Sequence, residues 1–322
     1  MKTIALLPVR NEAWILENCL ECLSGFCDVI LVSDQNSEDA SRDICRNFAK
    51  VVVLESATAD VCEVGRWALL DAAREYDGNN LLWCTDADEL IAPGAFHAFL
   101  AAHAHELTPG TVVECLFHHL WSRPDRYRDD ASPYAPYWKE FALVDDRTTD
   151  YDRSPTLPLH QPRVPLGDNP TILRSQEIHV LHLQWLLGEL NQIKQAWYRC
   201  RELLDGRTST EINARYSITL PAPRARTSPV APEWTAGVRF PQLGGGEESS
   251  WQEREIFQWL DTYGPERFEP LEMWHIPRFL KYFRDQTGRR PKPDRSYLPP
   301  LSHRARRFAG RVAKGTRRRL LP

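Results

Sequence analysis

Two aspartates placed two residues apart, Asp86 and Asp88, follow a short apolar run in this chain of 322 residues. The run, residues 81–84, is preceded by two asparagines and predicts a buried strand of a parallel sheet. In open α/β sheets, ligands bind just beyond the carboxyl ends of the strands. Two carboxylates placed there can hold a divalent cation and, through it, a diphosphate. The alternative is a helix start, because acidic residues also favour helix N-termini.

Polar residues follow the other predicted strands as well. They are Arg10-Asn11-Glu12 after the first strand, Asp34 after the second and residues 63–66 near the next crossover. Each group is also compatible with an ordinary helix cap, and Asn11 in particular predicts an N-cap. Because the carboxyl ends of parallel strands meet at one edge of a sheet, the coincidence of all these groups favours a ligand site there.

The elements that would position these residues are strands alternating with amphipathic helices. We predict strands at residues 3–7, 28–33, 51–54, 81–85, 111–121, 138–144 and 178–183, and late helices at 185–204, 249–263 and 273–285. Up to about residue 100 the alternation implies right-handed βαβ units and a doubly wound sheet. The strands after residue 110 suit antiparallel pairing, so a mixed sheet is expected. Glu89 is expected to open the helix after the fourth strand.

Composition restricts the class of protein. An apolar content of 42% with 26% charged residues is typical of a globular protein. The sequence contains no run of eighteen apolar residues, so no membrane-spanning helix is predicted. The eight cysteines lie mostly among apolar neighbours, and the Cys19-Cys22 spacing has no partner pair to complete a zinc site. We therefore expect buried, reduced thiols and a cytoplasmic location.

The C-terminal tail, residues 289–322, carries twelve Lys and Arg and one acid, whereas the rest of the chain is acidic. One interpretation is peripheral contact with an anionic membrane surface, at its inner face. The other is a disordered, solubilising tail. Nucleic-acid binding is not expected, since the body is acidic and shows no binding motif.

Three motifs in order resemble the nucleotide-sugar glycosyltransferases of family 2, which have the GT-A fold. The opening V-x-N-E of that family corresponds to residues 9–12, its D-D-G-S-T-D signature to residues 33–39, and its metal-binding D-x-D to Asp86-Ala87-Asp88. Ser33 and Gln35-Asn36 depart from the usual acid and Gly. The acceptor-binding Q-x-x-R-W-x-x-G of the processive synthases is not visible. The resemblance covers about the first 190 residues.

The resemblance implies an α/β GT-A type, Rossmann-like, doubly wound mixed sheet with a helical C-terminal extension. It implies transfer of a sugar from a nucleoside diphosphate-sugar, preferably a UDP-sugar, to a glycan or lipid-linked hydroxyl acceptor, with inversion, in cell-surface glycan synthesis. Residues 1–190 would be the catalytic domain, 191–288 a mostly helical region and 289–322 a basic flexible tail. A non-catalytic nucleotide-sugar or glycan-binding member, or a nucleotidyltransferase, is the alternative.

The resemblance also implies roles for particular residues. Mn²⁺ or Mg²⁺ would be held by Asp88, by Asp86 directly or through water, and by a late histidine, with His182 preferred to His179. The general base would be Asp146, with Asp145 second and Glu177 third. The donor would contact the residues at the strand ends, namely Pro8, Arg10, Asn11, Glu12, Asp34, Arg66, Asp86 and Ala87. Arg153, His160 and Arg163 could form a lid or an acceptor subsite.

Overall fold

The structure is a computed structural model, which describes residues 1–55, 62–130, 132–153, 162–219, 225–242 and 250–297. Its first half is an alternation of strands and helices. In chain order the elements are β1 Thr3–Val9, α1 Ala13–Ser24, β2 Val29–Asp34, α2 Ser41–Arg46, β3 Val51–Glu55, α3 Cys62–Arg74 and β4 Leu81–Cys84. The four strands run parallel in the order β3-β2-β1-β4. Every residue of β1 is buried, as expected for a central strand covered on both faces.

The second half of the sheet is mixed. It contains β5 Glu89–Leu90, β6 Thr111–Trp121, β7 Arg123–Arg128, β8 Tyr137–Val144, β9 Thr171–His182 and β10 Thr227–Pro229, with helix α4 Pro93–His103 after β5. Strand β8 lies antiparallel between β4 and β6, and β9 runs parallel to β6 while its end pairs with β5. The predicted α/β class with a doubly wound mixed sheet is confirmed.

Several predicted boundaries are wrong for physical reasons. Glu89 does not open a helix: it lies in β5 opposite His182, and the helix begins at Pro93. Strand β9 begins at Thr171 because it pairs with β6 from Thr111 onward. The helix predicted from residue 185 starts at Glu189, after a 3₁₀ turn at Gln184–Leu186.

The chain divides into two compact units, residues 1–188 with 223–247 and residues 189–222 with 248–322. The second unit is helical where it is described. Its helices are α5 Glu189–Leu204, α6 Ser209–Tyr216, α7 Trp251–Tyr263, α8 Pro265–Phe268 and α9 Pro277–Thr287. Aromatic residues contribute much of its core, with Phe279 and Phe283 fully buried. In the described part of the chain no helix has the length and apolar character needed to span a membrane.

The seven described cysteines are buried and free, in agreement with the predicted buried thiols. Burial raises the pKa of each of these seven thiols, and that of Cys22 to about 12. These side chains therefore pack as small apolar groups. Most of the basic tail, from residue 298 on, lies outside the described residues, as does His160.

Candidate functional site

The carboxyl ends of the parallel strands meet at one edge of the sheet. Val9 at the end of β1 is in register with Asp34 at the end of β2. Strand β4 ends opposite Leu6, so the chain from Thr85 to Asp88 continues along the same edge. The predicted strand-end residues of β1, β2 and β4 are thus brought to one edge of the sheet.

Between β1 and α2 this edge is held by internal hydrogen bonds. The side-chain oxygen of Asn11 accepts from the backbone N–H of Glu38 at 2.7 Å, and the Asn11 N–H donates to Ser37 Oγ at 2.9 Å. The N–H of Glu12 donates to Ser41 Oγ at 3.0 Å. Asn11 has a φ of 54° and precedes the helix cap, which is Glu12, so it is not the predicted N-cap. These residues shape the loop that follows β1.

Asp34 is 2% exposed, and its carboxylate is bound by residues that follow it closely in the chain. Its carboxylate forms an ion pair with Arg42 and accepts from the Ser37 N–H at 3.2 Å. Asn36, two residues after Asp34, has a φ of 54°, which Asn tolerates better than most residues. It lies in the segment where the family has Gly. Pro8 is buried within β1, and Arg10 is half-buried just after it.

Asp86 lies between two arginines. Its Oδ1 is 2.5 Å from Arg66 Nη2 and its Oδ2 is 2.9 Å from Arg163 Nη2. Burial by itself would raise the pKa of this carboxyl, but Arg163 and Arg66 outweigh burial and hold the pKa well below its ordinary value. The two arginines therefore favour the carboxylate form of Asp86.

The buried carboxylate of Glu89 binds Arg163 and holds it in position. Glu89 is 4% exposed, and its carboxylate accepts from the Thr85 hydroxyl at 3.0 Å and the Asp86 N–H at 2.9 Å. Arg163, 8% exposed, donates to Glu89 Oε1 at 2.7 Å. Burial opposes the charge of Arg163, but the carboxylates of Glu89 and Asp86 raise its pKa. The sequence pattern did not indicate this role for Glu89, because the pairing of β5 with β9 creates it.

The same pairing brings a histidine to Asp88. Asp88 is 5% exposed, its Oδ2 lies 3.3 Å from His182 Nε2, and its carbonyl accepts from the Leu183 N–H at 2.9 Å. His182 Nδ1 is in turn 2.9 Å from His119 Nδ1. His179 lies on the other face of β9, where it stacks on Trp234. Of the two histidines, the preferred one is beside the aspartate.

Asp88 and His182 fit a divalent cation as two of its ligands. Within the described ranges no group of three or more His, Cys, Asp or Glu side chains could hold a metal ion. Mg²⁺ is nevertheless commonly bound by only one or two carboxylates, such as Asp88, together with waters and the phosphates of a substrate. Asp86, with both oxygens on arginines, is less suited to direct coordination, and Ala87 is packed in the core.

The predicted base residues lie at the other end of the sheet. Because β8 is antiparallel to β4, Val144 pairs with Leu81, and the Asp145 N–H donates to the Asn80 carbonyl. Asp145 is bound by Arg74 at 2.9 Å, while Asp146 accepts from the backbone N–H of Thr149 at 2.7 Å. This register corrects the expectation that Asp145 or Asp146 stands beside Asp86 and Asp88.

Two other expected residues also lie elsewhere. Glu177 is bound to Ser175 at 2.9 Å and to His103 at 3.5 Å. Arg153 forms surface ion pairs with Asp71 and Asp150. Of the two members of the predicted lid group that the structure describes, Arg153 and Arg163, it is Arg163 that reaches the site.

A lysine at this edge was missed. The ammonium of Lys139, on β8, lies 4.3 Å from the ring centre of Phe117, and it is close enough to Arg163, Glu89 and Asp86 for their charges to affect it. Burial, with Arg163 next, lowers the pKa of Lys139 to about 8. A lysine in a strand that, apart from Glu140, is apolar and aromatic was the available signal.

Residues 5–131 match the family described as glycosyl transferase family 2. Among curated proteins, none matches the chain. Solved structures are similar at low identity. The S. aureus TarS 1–349 complex with UDP-GlcNAc is 20% identical, over 38% of this chain and 36% of that chain, with a TM-score of 0.31. A second TarS 1–349 structure is 12% identical, over 88% of this chain and 83% of that chain, with a TM-score of 0.40.

Two further structures have similarly low scores. GalNAc-T7 with UDP, GalNAc and Mn²⁺ is 13% identical over 67% of this chain and 54% of that chain, with a TM-score of 0.40. Glucosyl-3-phosphoglycerate synthase from Mycobacterium tuberculosis with phosphoglyceric acid is 19% identical over 36% and 44%, with a TM-score of 0.29. This chain spans less than half of the length of that synthase and of the TarS complex with UDP-GlcNAc.

Proposed function

We propose that this chain, which belongs to glycosyltransferase family 2 through its residues 5–131, transfers a sugar from a nucleoside diphosphate-sugar to a hydroxyl acceptor with the help of Mn²⁺ or Mg²⁺. The family match confirms the predicted family and the predicted class of enzyme, a glycosyltransferase. The proposal also includes the identity of the donor's nucleobase and of the metal. It further includes inversion at the transferred sugar and a role in cell-surface glycan synthesis.

The observation that carries this function is the charge arrangement at the edge of the sheet. Arg66, Arg163 and Lys139 lie around Asp86, and Asp88, in the same turn, is paired with His182 at the end of β9. A diphosphate needs several cationic groups in a small volume, and arginine binds phosphate oxygens in a bidentate manner. A cation-binding pair next to three basic side chains suits a metal-bound diphosphate.

Each residue would then have a separate task. Arg66 and Arg163, now paired with Asp86, would donate to the diphosphate and keep it in place, while Glu89 holds Arg163 from the buried side. Asp88 and His182 would hold the cation. When bound, the cation supplies Lewis-acid stabilisation of the charge that develops on the departing nucleotide. Asp88 and Arg163 are 5% and 8% exposed, so phosphates bound to them would be shielded from water.

Inversion requires a base that accepts the proton of the acceptor hydroxyl. Asp145 and Asp146 are not carried forward in that role, because the antiparallel direction of β8 separates them from the cation-binding pair. In the proposed transfer the strand-end residues still bind the donor, and Arg66 and Arg163, positioned by Asp86, are its innermost contacts.

The experiment combines donor binding with turnover. Wild type, Asp88→Asn and the exposed control Asp285→Asn would be titrated calorimetrically with UDP, with and without Mn²⁺, and assayed for hydrolysis and transfer with UDP-glucose and UDP-N-acetylglucosamine. We expect Mn²⁺ to strengthen UDP binding in wild type and in the control but not in Asp88→Asn, whose turnover should fall by about 100-fold or more.

The alternatives give different patterns. UDP binding without turnover of any sugar nucleotide in wild type would indicate a non-catalytic member of the family. Unchanged Mn²⁺-dependent turnover in Asp88→Asn would exclude the proposed cation site.

A further inference from the structure

A group of aromatic side chains adjoins the proposed cation-binding pair, Asp88 and His182, through His119. The ring of His119 is 5.0 Å from that of His182 and 5.1 Å from that of Tyr134. Tyr134 lies 4.7 Å from Trp185, which stacks on Trp121 at 4.7 Å with an interplanar angle of 24°. We call Trp121, Tyr134 and Trp185 the aromatic cluster. It forms a continuous path of rings leading away from Asp88.

All three rings of the aromatic cluster are only half-buried. They come from three separate segments, namely the end of β6, the turn before β8 and the 3₁₀ turn after β9. A Ser122 N–H bond to the Trp185 carbonyl at 3.4 Å joins two of these segments. Aromatic rings that keep part of their surface in solvent can stack on a ligand, while their segments hold them in position.

Arg128 packs against two rings of the aromatic cluster and has one guanidinium N–H group without a partner among the described residues. It is 6% exposed, its guanidinium carbon is 4.4 Å from the Trp121 ring centre and 5.2 Å from that of Tyr134, and its Nε donates to Asp130 at 3.0 Å. Its Nη1 is buried and has no hydrogen-bond partner among the described residues. Buried donors are almost always satisfied in folded proteins, so an unsatisfied guanidinium N–H next to half-exposed rings points to a ligand atom.

We propose that the aromatic cluster and Arg128 bind a pyranose ring of the acceptor, an inference that rests on the proposed transfer of a sugar. A pyranose has an apolar face of C–H groups that packs on Trp or Tyr and an equatorial rim of oxygens that accept hydrogen bonds. The rings of the cluster supply the packing surface, and Arg128 Nη1 supplies a donor for one rim oxygen. That oxygen belongs to a hydroxyl or to a carboxylate.

The position of the cluster fits an acceptor rather than a donor. Arg66 and Arg163, which would bind the phosphates, hold Asp86, whereas the cluster is reached from the neighbouring Asp88 through His182 and His119. None of the three rings belongs to a residue proposed to bind the nucleotide or the cation. The cluster therefore adjoins the proposed cation site and leaves the proposed phosphate-binding residues to the donor.

The test measures sugar binding directly. Saturation-transfer NMR would be recorded with methyl β-D-glucopyranoside, methyl N-acetyl-β-D-glucosaminide and the anionic methyl β-D-glucopyranosiduronate. The full chain would be used as wild type, Trp185→Leu, Tyr134→Leu and Arg128→Gln. Trp138→Leu is the matched control, because Trp138 lies on the opposite face of β8 from Lys139 and is covered by Arg174 at 5.5 Å. Circular dichroism would verify that each variant is folded.

We expect saturation of at least one glycoside in wild type and in the control, and an at least fivefold weaker effect in Trp185→Leu and Tyr134→Leu. No saturation in wild type, or undiminished saturation in both ring variants, would overturn the proposal. A loss in Arg128→Gln restricted to the glucuronide assigns the rim oxygen to a carboxylate, and an equal loss for all three assigns it to a hydroxyl. No loss in Arg128→Gln would exclude Arg128 from the subsite.

Titration with UDP and Mn²⁺ on the same samples separates the two proposals. Glycoside binding without UDP binding would leave the subsite standing and remove the proposed transfer. UDP binding without glycoside binding would do the reverse.

Discussion

Each end of β4 has an aspartate bound by two arginines, and the two arrangements differ in what surrounds them. At the start of β4, Asp145 is 2% exposed and is bound by Arg74 at 2.9 Å and Arg147 at 3.7 Å. These arginines also donate to backbone carbonyls, Arg74 to Thr149 and Arg147 to Gly78. Both arginines thus help to fasten neighbouring turns.

Beyond the end of β4, Asp86 is about one-third exposed, and its two arginines are joined by Lys139 and by the Asp88–His182 pair. The basic groups are packed close together, and the carboxylates of Asp86 and Glu89 offset their mutual repulsion. An aspartate–arginine pair is therefore not in itself a sign of a ligand site. A local accumulation of basic groups next to the proposed cation-binding pair is a better sign.

The sharpest way to test this comparison is to remove the charge of each aspartate in turn. Asp86→Asn should lower kcat/KM for transfer by about 100-fold, because the two arginines lose the group that positions them toward the donor. Asp145→Asn should leave kcat/KM within about threefold of wild type and instead lower the free energy of unfolding by roughly 3–5 kcal/mol, since it breaks a buried ion pair. Steady-state kinetics and urea unfolding would measure both. Equal kinetic losses in the two variants would contradict the comparison.

A second test uses the two histidines of β9, which face opposite sides of the sheet. His182→Ala should raise the Mn²⁺ concentration needed for half-maximal activity by about 10-fold to 100-fold, as expected for a group next to the metal. His179→Ala should leave that concentration unchanged and lower the melting temperature, because it removes the ring stacked on Trp234 at 4.0 Å. Metal titrations and thermal unfolding would be recorded in parallel. A shift in metal requirement in His179→Ala would count against the assignment of His182.

The smallest expected effect is a pH dependence due to Lys139, whose pKa is about 8. Its charge is present below pH 8 and lost above it, so the affinity for UDP should fall several-fold between pH 7 and 9. In the same range the unfolded chain binds more protons at this lysine than the folded chain does, so its contribution to stability rises with pH. Calorimetry at several pH values would measure the first effect. Lys139→Met should remove it, and a pH dependence unchanged in that variant would exclude Lys139.

The sequence allowed prediction of the parallel half of the fold and of the residues at its carboxyl edge. Buried apolar runs such as the one before Asp86 are local signals, and so is the spacing of the two aspartates. The helices of the second unit were also accessible, since their aromatic spacing is periodic.

The remainder depended on pairing between distant segments. Nothing local to Glu89 indicates that it pairs with His182, and nothing local to Asp145 indicates that its strand runs antiparallel to β4. Arg163 could be considered for the site but not assigned a partner. Residues whose role is decided by strand direction or register were therefore misplaced, whereas residues that directly follow a parallel strand were located correctly.

The hydrogen bond from the Leu183 N–H to the Asp88 carbonyl gives this protein a built-in spectroscopic reporter. The amide proton of Leu183 is bonded to the residue whose side chain is proposed to hold the cation, and Leu183 itself is fully buried. Its resonance should shift when the loop of Asp88 binds Mg²⁺ with UDP, and its exchange with solvent deuterium should slow. Occupancy of the site can thus be followed at a single backbone position without any added label on the ligand.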